Sequence, residues 1–283
     1  MRGGRDPGEE VVAEFRRRYE VIGGSPLVRI SRAQAAALEE RLAGRALVRA
    51  AMRFSSPSVS EALWELADAG VHEAVGIVMS PQYSPLLMGG YGRSIDEARA
   101  QLGDRAPAVR LAGAWYRQPK FVEALAARIG EGLERFPAGE RGSVPVLLTA
   151  HSLPRRVAEQ EPDYLAQLEE TATAVAERAG LPRERWTFCW QSAGHEPGEW
   201  MKPDFADLMP ELAAAGHRSV LVAPVQFLAD HLEILYDVDV GAREQAEEAG
   251  LRFARIQSLN VDERFIEALA AVALETVGAA RAR

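Results

Sequence analysis

Apolar positions along the chain fall into two kinds of segment that alternate. Short, mostly apolar segments at Ala46–Met52, Ala74–Met79, Val109–Gly113, Val144–Thr149, Trp186–Trp190, Val220–Pro224 and Arg252–Ile256 read as strands. Between them, apolar residues recur every three or four positions and predict helices. The first spans Glu10–Val21, with Val11, Val12, Phe15 and Tyr19 on one face, and stops at the breaker cluster Ile22-Gly23-Gly24-Ser25-Pro26. A second runs from an N-cap at Ser31 to Ala43, and a third from Ser58 or Ser60 to near Gly70. Further helices are expected at Tyr91–Leu102, Lys120–Phe136, Asp163–Ala179, Asp204–Ala215 and Asp262–Ala280. A helix opening at Ala229–Leu235 is broken by Val-Asp-Val-Gly and resumes through Ala249.

Helices alternating with short strands predict parallel sheets with crossover helices. The expected fold is α/β, in two Rossmann-like halves with a cleft between them. The boundaries fall at 1–118 and 119–261, with helix 262–283 packing back on the first half. That half opens with a loop and a helix, and only two convincing strands precede Val109, so its sheet is expected to be one strand short. A net charge of −8 argues against a nucleic-acid partner. No apolar run approaches the roughly 18 residues of a membrane span, and the polar opening MRGGRDPGEE has no signal-peptide core. The single cysteine, Cys189, excludes a disulfide framework and any cysteine-ligated zinc or iron–sulfur site within one chain. Cytoplasmic residence is the expectation that follows.

Two strand ends carry the candidate chemistry. In Val144–Pro154 (VPVLLTAHSLP) an apolar strand runs straight into His151, and in open α/β sheets ligands bind beyond the carboxyl ends of strands. The local pattern leaves His151 open between a buried histidine bonded to backbone and a functional group. The second strand, Val220–Pro224, leads into Asp230-His231-Leu232-Glu233-Ile234-Leu235-Tyr236-Asp237. Glu233 has an apolar neighbour on each side: it lies either on the exposed face of an amphipathic helix or in an apolar site where it needs a partner. One imidazole and one carboxylate leave most coordination positions open, which suits transient handling of a divalent metal. The other histidines read as ordinary: His72 and His217 precede strands, His195 sits in a Gly-Pro loop, and His231 caps a helix start. There is no HExxH, GxGxxG or Walker loop, and no GxSxG surrounds Ser152.

Four motifs in order carry a resemblance: Ala150-His151-Ser152-Leu153-Pro154, Trp190-Gln191-Ser192-Ala193-Gly194, Trp200–Asp204 (WMKPD) and Asp230–Asp237 (DHLEILYD). With them the chain resembles the ferrochelatases, in particular the soluble coproporphyrin ferrochelatases of Gram-positive and actinobacterial type, from about Arg2 to Val277. The resemblance implies two Rossmann-like domains around a porphyrin cleft and insertion of ferrous iron into a free-base porphyrin. Porphyrin and Fe2+ enter as substrates, with no permanently bound cofactor and no iron–sulfur cluster, and the protein is a monomer. His151 and Glu233 match the family's metal- and proton-handling positions. Arg2, Arg18, Tyr19, Ser25 and Tyr91 match positions that contact the porphyrin or its propionates. Arg53 adds positive charge at the cleft mouth, and Asp237 matches an acidic track that leads cations inward.

The chain also departs from the family pattern. The family's opening strand and its Tyr-Gly turn have no counterpart here, so the resemblance implies that the iron-side tyrosine is absent. The Gly23-Gly24-Ser25-Pro26 turn is one residue shorter, Gly241 replaces an acid of the cation track, and Phe54 replaces a polar residue or histidine. Protoporphyrin IX as substrate, and an inactive truncated porphyrin- or haem-binding relative, stand as alternatives. The Trp190-Gln191-Ser192 and Asp230–Asp237 motifs argue against a cobalt chelatase of another tetrapyrrole.

Overall fold

The four apolar runs of the second half assemble into one parallel sheet in the computed structural model, which describes residues 8–194 and 198–281. The first half comprises helices α1 (Glu9–Val21), α2 (Leu27–Arg41) and α3 (Val59–Asp68), strand β1 (Glu73–Gly76), helix α4 (Pro85–Leu102) and strand β2 (Ala108–Leu111). The second half continues with α5 (Pro119–Leu133), β3 (Val146–His151), the short α6 (Arg155–Ala158), α7 (Pro162–Arg178), β4 (Trp186–Gln191), α8 (Phe205–Ala214) and β5 (Ser219–Pro224). A π-helix (Glu233–Ala242), α9 (Arg243–Glu248), β6 (Arg252–Arg255) and α10 (Glu263–Arg281) complete the chain. Among the described residues no helix is long and apolar enough to cross a membrane.

The large sheet has the order β4-β3-β5-β6, every pair parallel. The chain leaves β3 on one side to form β4, then crosses to the other side to form β5. Strand order therefore reverses between β3 and β5, and a crevice opens at their carboxyl ends. Alternation along the strands divides the packing. Val146 and Leu148 of β3, with Leu221 and Ala223 of β5, join the largest core beneath α5, α7 and α10. Leu147, Val220 and Val222 face the opposite core of α8, the π-helix and α9. Both faces are covered, which is why these strands read as unbroken apolar runs. The largest core also takes in Leu38 and Leu42 of α2, and α10 lies against α5, α2 and β1, so the two halves are fused by packing.

The first half differs from expectation. Among the described residues its sheet has two strands, β1 and β2, paired in parallel. The expected strand Ala46–Met52 forms no ladder: Met52 bridges only Ser58, and the Val48 N–H donates to Glu39 Oε2 at 2.6 Å. A strand is a property of two segments, and this one pairs with no strand among the described residues; a carboxylate satisfies the Val48 donor instead. Two helices also begin earlier than expected. α2 starts at Leu27, leaving Ser31 in its interior, and α4 starts at Pro85 rather than near Tyr91. The second shift has a tertiary cause: Glu161 Oε1, from the second half, accepts the Leu86 N–H at 3.1 Å and caps the extra turns. α3 begins where predicted, with Ser58 and Glu61 forming a reciprocal capping box.

The start of α10 rests on one buried carboxylate. Asp262 accepts the Arg264 backbone N–H at 3.0 Å and is clamped by the Arg264 guanidinium at 2.6 and 2.9 Å, with Arg128 at 3.1 Å. Burial pushes the Asp262 carboxyl up, but the Arg264 hydrogen bonds and the charges of Arg264 and Arg128 outweigh it and hold it below the ordinary carboxylate range. A depressed folded value means stability that is complete above the unfolded value near 3.9 and lost as pH falls through the folded one. Asp262→Asn is expected to cost about 2 kcal/mol at pH 7. The difference from wild type in urea unfolding should shrink as the pH falls from 5 towards 2; a pH-independent difference would rule out the ionic contribution.

Candidate active site

His151 stands where β3 emerges from the core. The five residues before it are buried, and the histidine is half-exposed in the crevice. Its backbone N–H donates to Gln226 Oε1 at 2.7 Å, and Gln226 Nε2 donates to the buried Tyr164 hydroxyl. Ring Nδ1 lies 2.5 Å from the Ser152 carbonyl. A carbonyl only accepts, so the proton sits on Nδ1 and the Nε2 lone pair faces outward. Backbone bonding of one ring nitrogen is thus what presents the other to the crevice.

Nε2 of His151 faces Glu233 Oε2 across 3.6 Å. Glu233 opens the π-helix, and the segment expected to break the helix instead winds with i→i+5 bonds from Glu233 to Ala242. This wider winding keeps Glu233 and Asp237 on the crevice side while Ile234, Val238 and Ala242 are buried. A second imidazole, His231, approaches the same Glu233 Oε2 at 3.7 Å, with its Nδ1 on the Ala229 carbonyl at 2.9 Å and its ring beside Phe227. Burial opposes charge on His231, but the Glu233 carboxylate outweighs it and raises the imidazole's pKa. Burial likewise pushes Glu233 up, and His231 and His151 together draw it below the ordinary range. The π-helix is held from behind by Arg255 of β6, which binds both Asp239 oxygens at 2.8 Å and reaches Asp230 Oδ1 at 3.2 Å. Asp230 also accepts from Ser258 at 2.7 Å and Asn260 at 2.9 Å, fixing the segment that leads to His231.

A second line of contacts crosses from β3 to α1. The Thr149 hydroxyl donates to Gln191 Oε1 at 2.5 Å, Gln191 Nε2 to Ser192 Oγ at 3.3 Å, and Ser192 bonds Asp237. Ser192 holds a left-handed backbone (φ 58°), uncommon for a side-chain-bearing residue. Burial raises the Asp237 pKa, reinforced by Glu233 and opposed by Ser192 and Arg18. Arg18 meets Asp237 at 3.5 Å and lies 5.0 Å from the Tyr236 ring centre, and Arg17 donates to the Tyr236 hydroxyl at 2.5 Å. Helix α1 therefore spans the crevice. Its predicted apolar face is largely unburied, with Val12, Phe15 and Tyr19 at 40%, 39% and 41% exposure. The helix buries no residue fully, and the Arg18 guanidinium lies 5.7 Å from the Phe15 ring centre.

Arg53 and Tyr91 also meet: the Arg53 guanidinium lies 6.0 Å from the Tyr91 ring centre and 4.7 Å from that of Phe54. Ser25 stands apart, its hydroxyl accepting the Leu27 N–H at 3.3 Å in its own turn. Arg2 and His195 lie outside the described residues. The motifs at 150–154, 190–194 and 200–204 fold together through Met201 N–H to Leu153 O and Trp190 N–H to Pro203 O, both at 2.9 Å. Trp200 packs so close to Gly194 that a Cβ there would lie 2.8 Å from the indole. Several participants carry little signal in the sequence: His231 reads as a cap, and Arg17, Ser192, Tyr236 and Arg255 have no local pattern that sets them apart. The one available signal was His231, two residues before an acid with apolar neighbours.

The geometry sets an imidazole nitrogen opposite a carboxylate oxygen, across a gap that a cation can occupy. Comparison with known proteins agrees with that chemistry. The model of the ferrochelatase family matches residues 9–277. A ferrochelatase from Deinococcus radiodurans is 38% identical over 276 residues, covering 96% of this chain and 87% of its own length. Coproporphyrin III ferrochelatases from Geobacillus kaustophilus and Listeria monocytogenes are 36% and 34% identical, each over 97% of this chain and 88% and 90% of their own lengths. The fold is shared with SirB from Bacillus subtilis (TM-score 0.62, 11% identity, 89% of this chain and 92% of that one). It is also shared with CbiX, described as the terminal enzyme of sirohaem biosynthesis in denitrifying bacteria (0.58, 18%, 91% and 94%). The chain belongs to the ferrochelatase family, lyases that act as porphyrin metal chelatases.

Proposed function

We propose that the protein inserts ferrous iron into coproporphyrin III, releasing two protons and forming coprohaem III. The observation that carries this reading is the His151–Glu233 pair, 3.6 Å apart at the strand-order switch. Fe2+ arrives as substrate between the His151 lone pair and the Glu233 carboxylate, a sparse ligand set from which it can be handed on. Imidazole Nε2 then accepts a pyrrole proton, and Glu233, with His231 beside it, balances the charge of the incoming cation. Asp237 lies four residues on in the same helix and extends the acidic path for the cation in this reading.

In this reading the macrocycle rests on the unburied face of α1, where Val12 and Tyr19 offer apolar surface. Arg18 and Arg53, together with the expected Arg2, supply positive charge for propionates. Coproporphyrin carries four propionates and protoporphyrin two, so the arginine count favours the former. The names of the Geobacillus and Listeria relatives point the same way.

In anaerobic turnover with ferrous iron, followed by the Soret band, coproporphyrin III should give coprohaem faster than protoporphyrin IX gives haem; equal or reversed rates would reject the substrate assignment. His151→Ala is expected to abolish metal insertion while coproporphyrin still binds, as read by fluorescence quenching. Retained turnover in that variant would remove His151 from the mechanism. Glu233→Gln should slow insertion by about 100-fold or more, in the range of a lost acid–base or charge-balancing group, and a wild-type rate would make the carboxylate merely structural.

A further inference from the structure

Helix α4 contains two adjacent glycines, Gly89 and Gly90, in an interior where glycine weakens a helix relative to alanine. Neither has a left-handed backbone, so conformation does not require them. Space separates the two. A Cβ at Gly89 would meet only Arg93 Nη1, at an ordinary 3.6 Å. A Cβ at Gly90 would lie 2.0 Å from Arg53 Cζ and 2.3 and 2.4 Å from its two Nη atoms. Near-equal distances to both nitrogens, with the central carbon nearest, mean that the planar guanidinium lies face-on against the helix at Gly90.

The same guanidinium is flanked by the Phe54 and Tyr91 rings, at 4.7 and 6.0 Å. Its faces are therefore occupied by backbone and aromatic carbon, a surface that suits a weakly hydrated planar cation. Its edges are not: among the described residues Arg53 has no carboxylate partner and donates no hydrogen bond. The platform beneath it is anchored. α4 and the loop before it are tied to the second half by Leu86 N–H to Glu161 at 3.1 Å, Tyr83 N–H to Gln167 at 2.8 Å and Gln82 Nε2 to Thr171 at 2.9 Å. Gln167 and Thr171 belong to α7, which packs on β3 and β4, so the seat has a fixed position relative to His151.

We propose that Gly90 is a positioning residue whose missing side chain forms the seat of Arg53, holding that guanidinium with its donor edges free for a substrate carboxylate. The proposal rests on the chelatase reading for the identity of the carboxylate, a porphyrin propionate, and on geometry alone for the seat. A methyl group at position 90 is enough to unseat Arg53, and alanine strengthens the helix rather than weakening it. Loss of function in Gly90→Ala would therefore not come from unfolding.

The test uses the full chain and two readouts. Metal-free coproporphyrin III binding, followed by fluorescence quenching, should weaken about tenfold in Gly90→Ala, the loss of one charge-assisted hydrogen bond. In turnover KM should rise by a similar factor while kcat stays within about twofold, as expected for uniform binding. Arg53→Ala should weaken binding as much, and the double variant no further. Independently of any porphyrin, phenylglyoxal should modify Arg53 several-fold faster in Gly90→Ala than in wild type, read by peptide mass, with Tm unchanged or raised. Wild-type affinity and wild-type Arg53 reactivity in Gly90→Ala would overturn the seat. Fully additive effects of Gly90→Ala and Arg53→Ala would overturn it too. Failure of the chelatase reading has a different signature: wild-type protein that does not bind coproporphyrin III while Arg53 is still unmasked in Gly90→Ala. That result removes the carboxylate role and leaves the seat.

Discussion

The hydrogen-bonded pairing of β3 with β5 is the constraint on which the site depends. Thr149 lies opposite Pro224, so the two chains leave the sheet side by side, one into His151 and Ser152 and the other into Val225 and Gln226. Because β4 and β6 lie on opposite sides of this pair, the crossover helices diverge and leave a crevice at the strand ends. The Gln226 amide oxygen then accepts the His151 N–H, so the residue that follows one strand fixes the residue that ends the other. An imidazole placed this way owes its position to backbone geometry rather than to a flexible loop.

Electrostatics in the molecule divide into charges that are spent and charges that are kept available. Arg255 is paired with Asp230 and Asp239, and Asp262 with Arg264 and Arg128, and both groups fix the ends of helices. Glu233 is different. Its partners are two imidazoles at 3.6 and 3.7 Å, longer contacts than the arginines make to Asp239 and Asp262. A carboxylate held only by such long contacts remains able to take a cation. Arg53 is the positive counterpart, stacked on carbon but not paired with an acid.

Helix α1 shows how one amphipathic pattern can serve a function other than core formation. Its apolar stripe at Val12, Phe15 and Tyr19 has the period of a core-facing helix, yet the helix docks through its charged side, Arg17 and Arg18 against Tyr236 and Asp237. The stripe is left largely unburied. Periodicity reports that a face is apolar; what covers it is decided elsewhere.

The same division runs through the whole chain. Sequence by itself determined the elements whose burial is complete: β3, β5, α5 and α7 lie close to where their periodicity puts them, because apolar period is a direct record of how many faces are covered. His151 and Glu233 were legible for a related reason, since each interrupts an apolar run that should otherwise contain no polar group. Pairing was not legible. Ala46–Met52 has strand composition and no strand partner, and the Val-Asp-Val-Gly stretch that should break a helix is carried through as a π-helix held by Arg255. The roles of His231, Arg17, Tyr236 and Gly90 likewise emerged only when distant segments met, as Arg17 and Tyr236 do across 219 positions of sequence. Local propensity and burial are written residue by residue, whereas a contact between remote segments belongs to neither of them and comes into being only when the fold brings the two together.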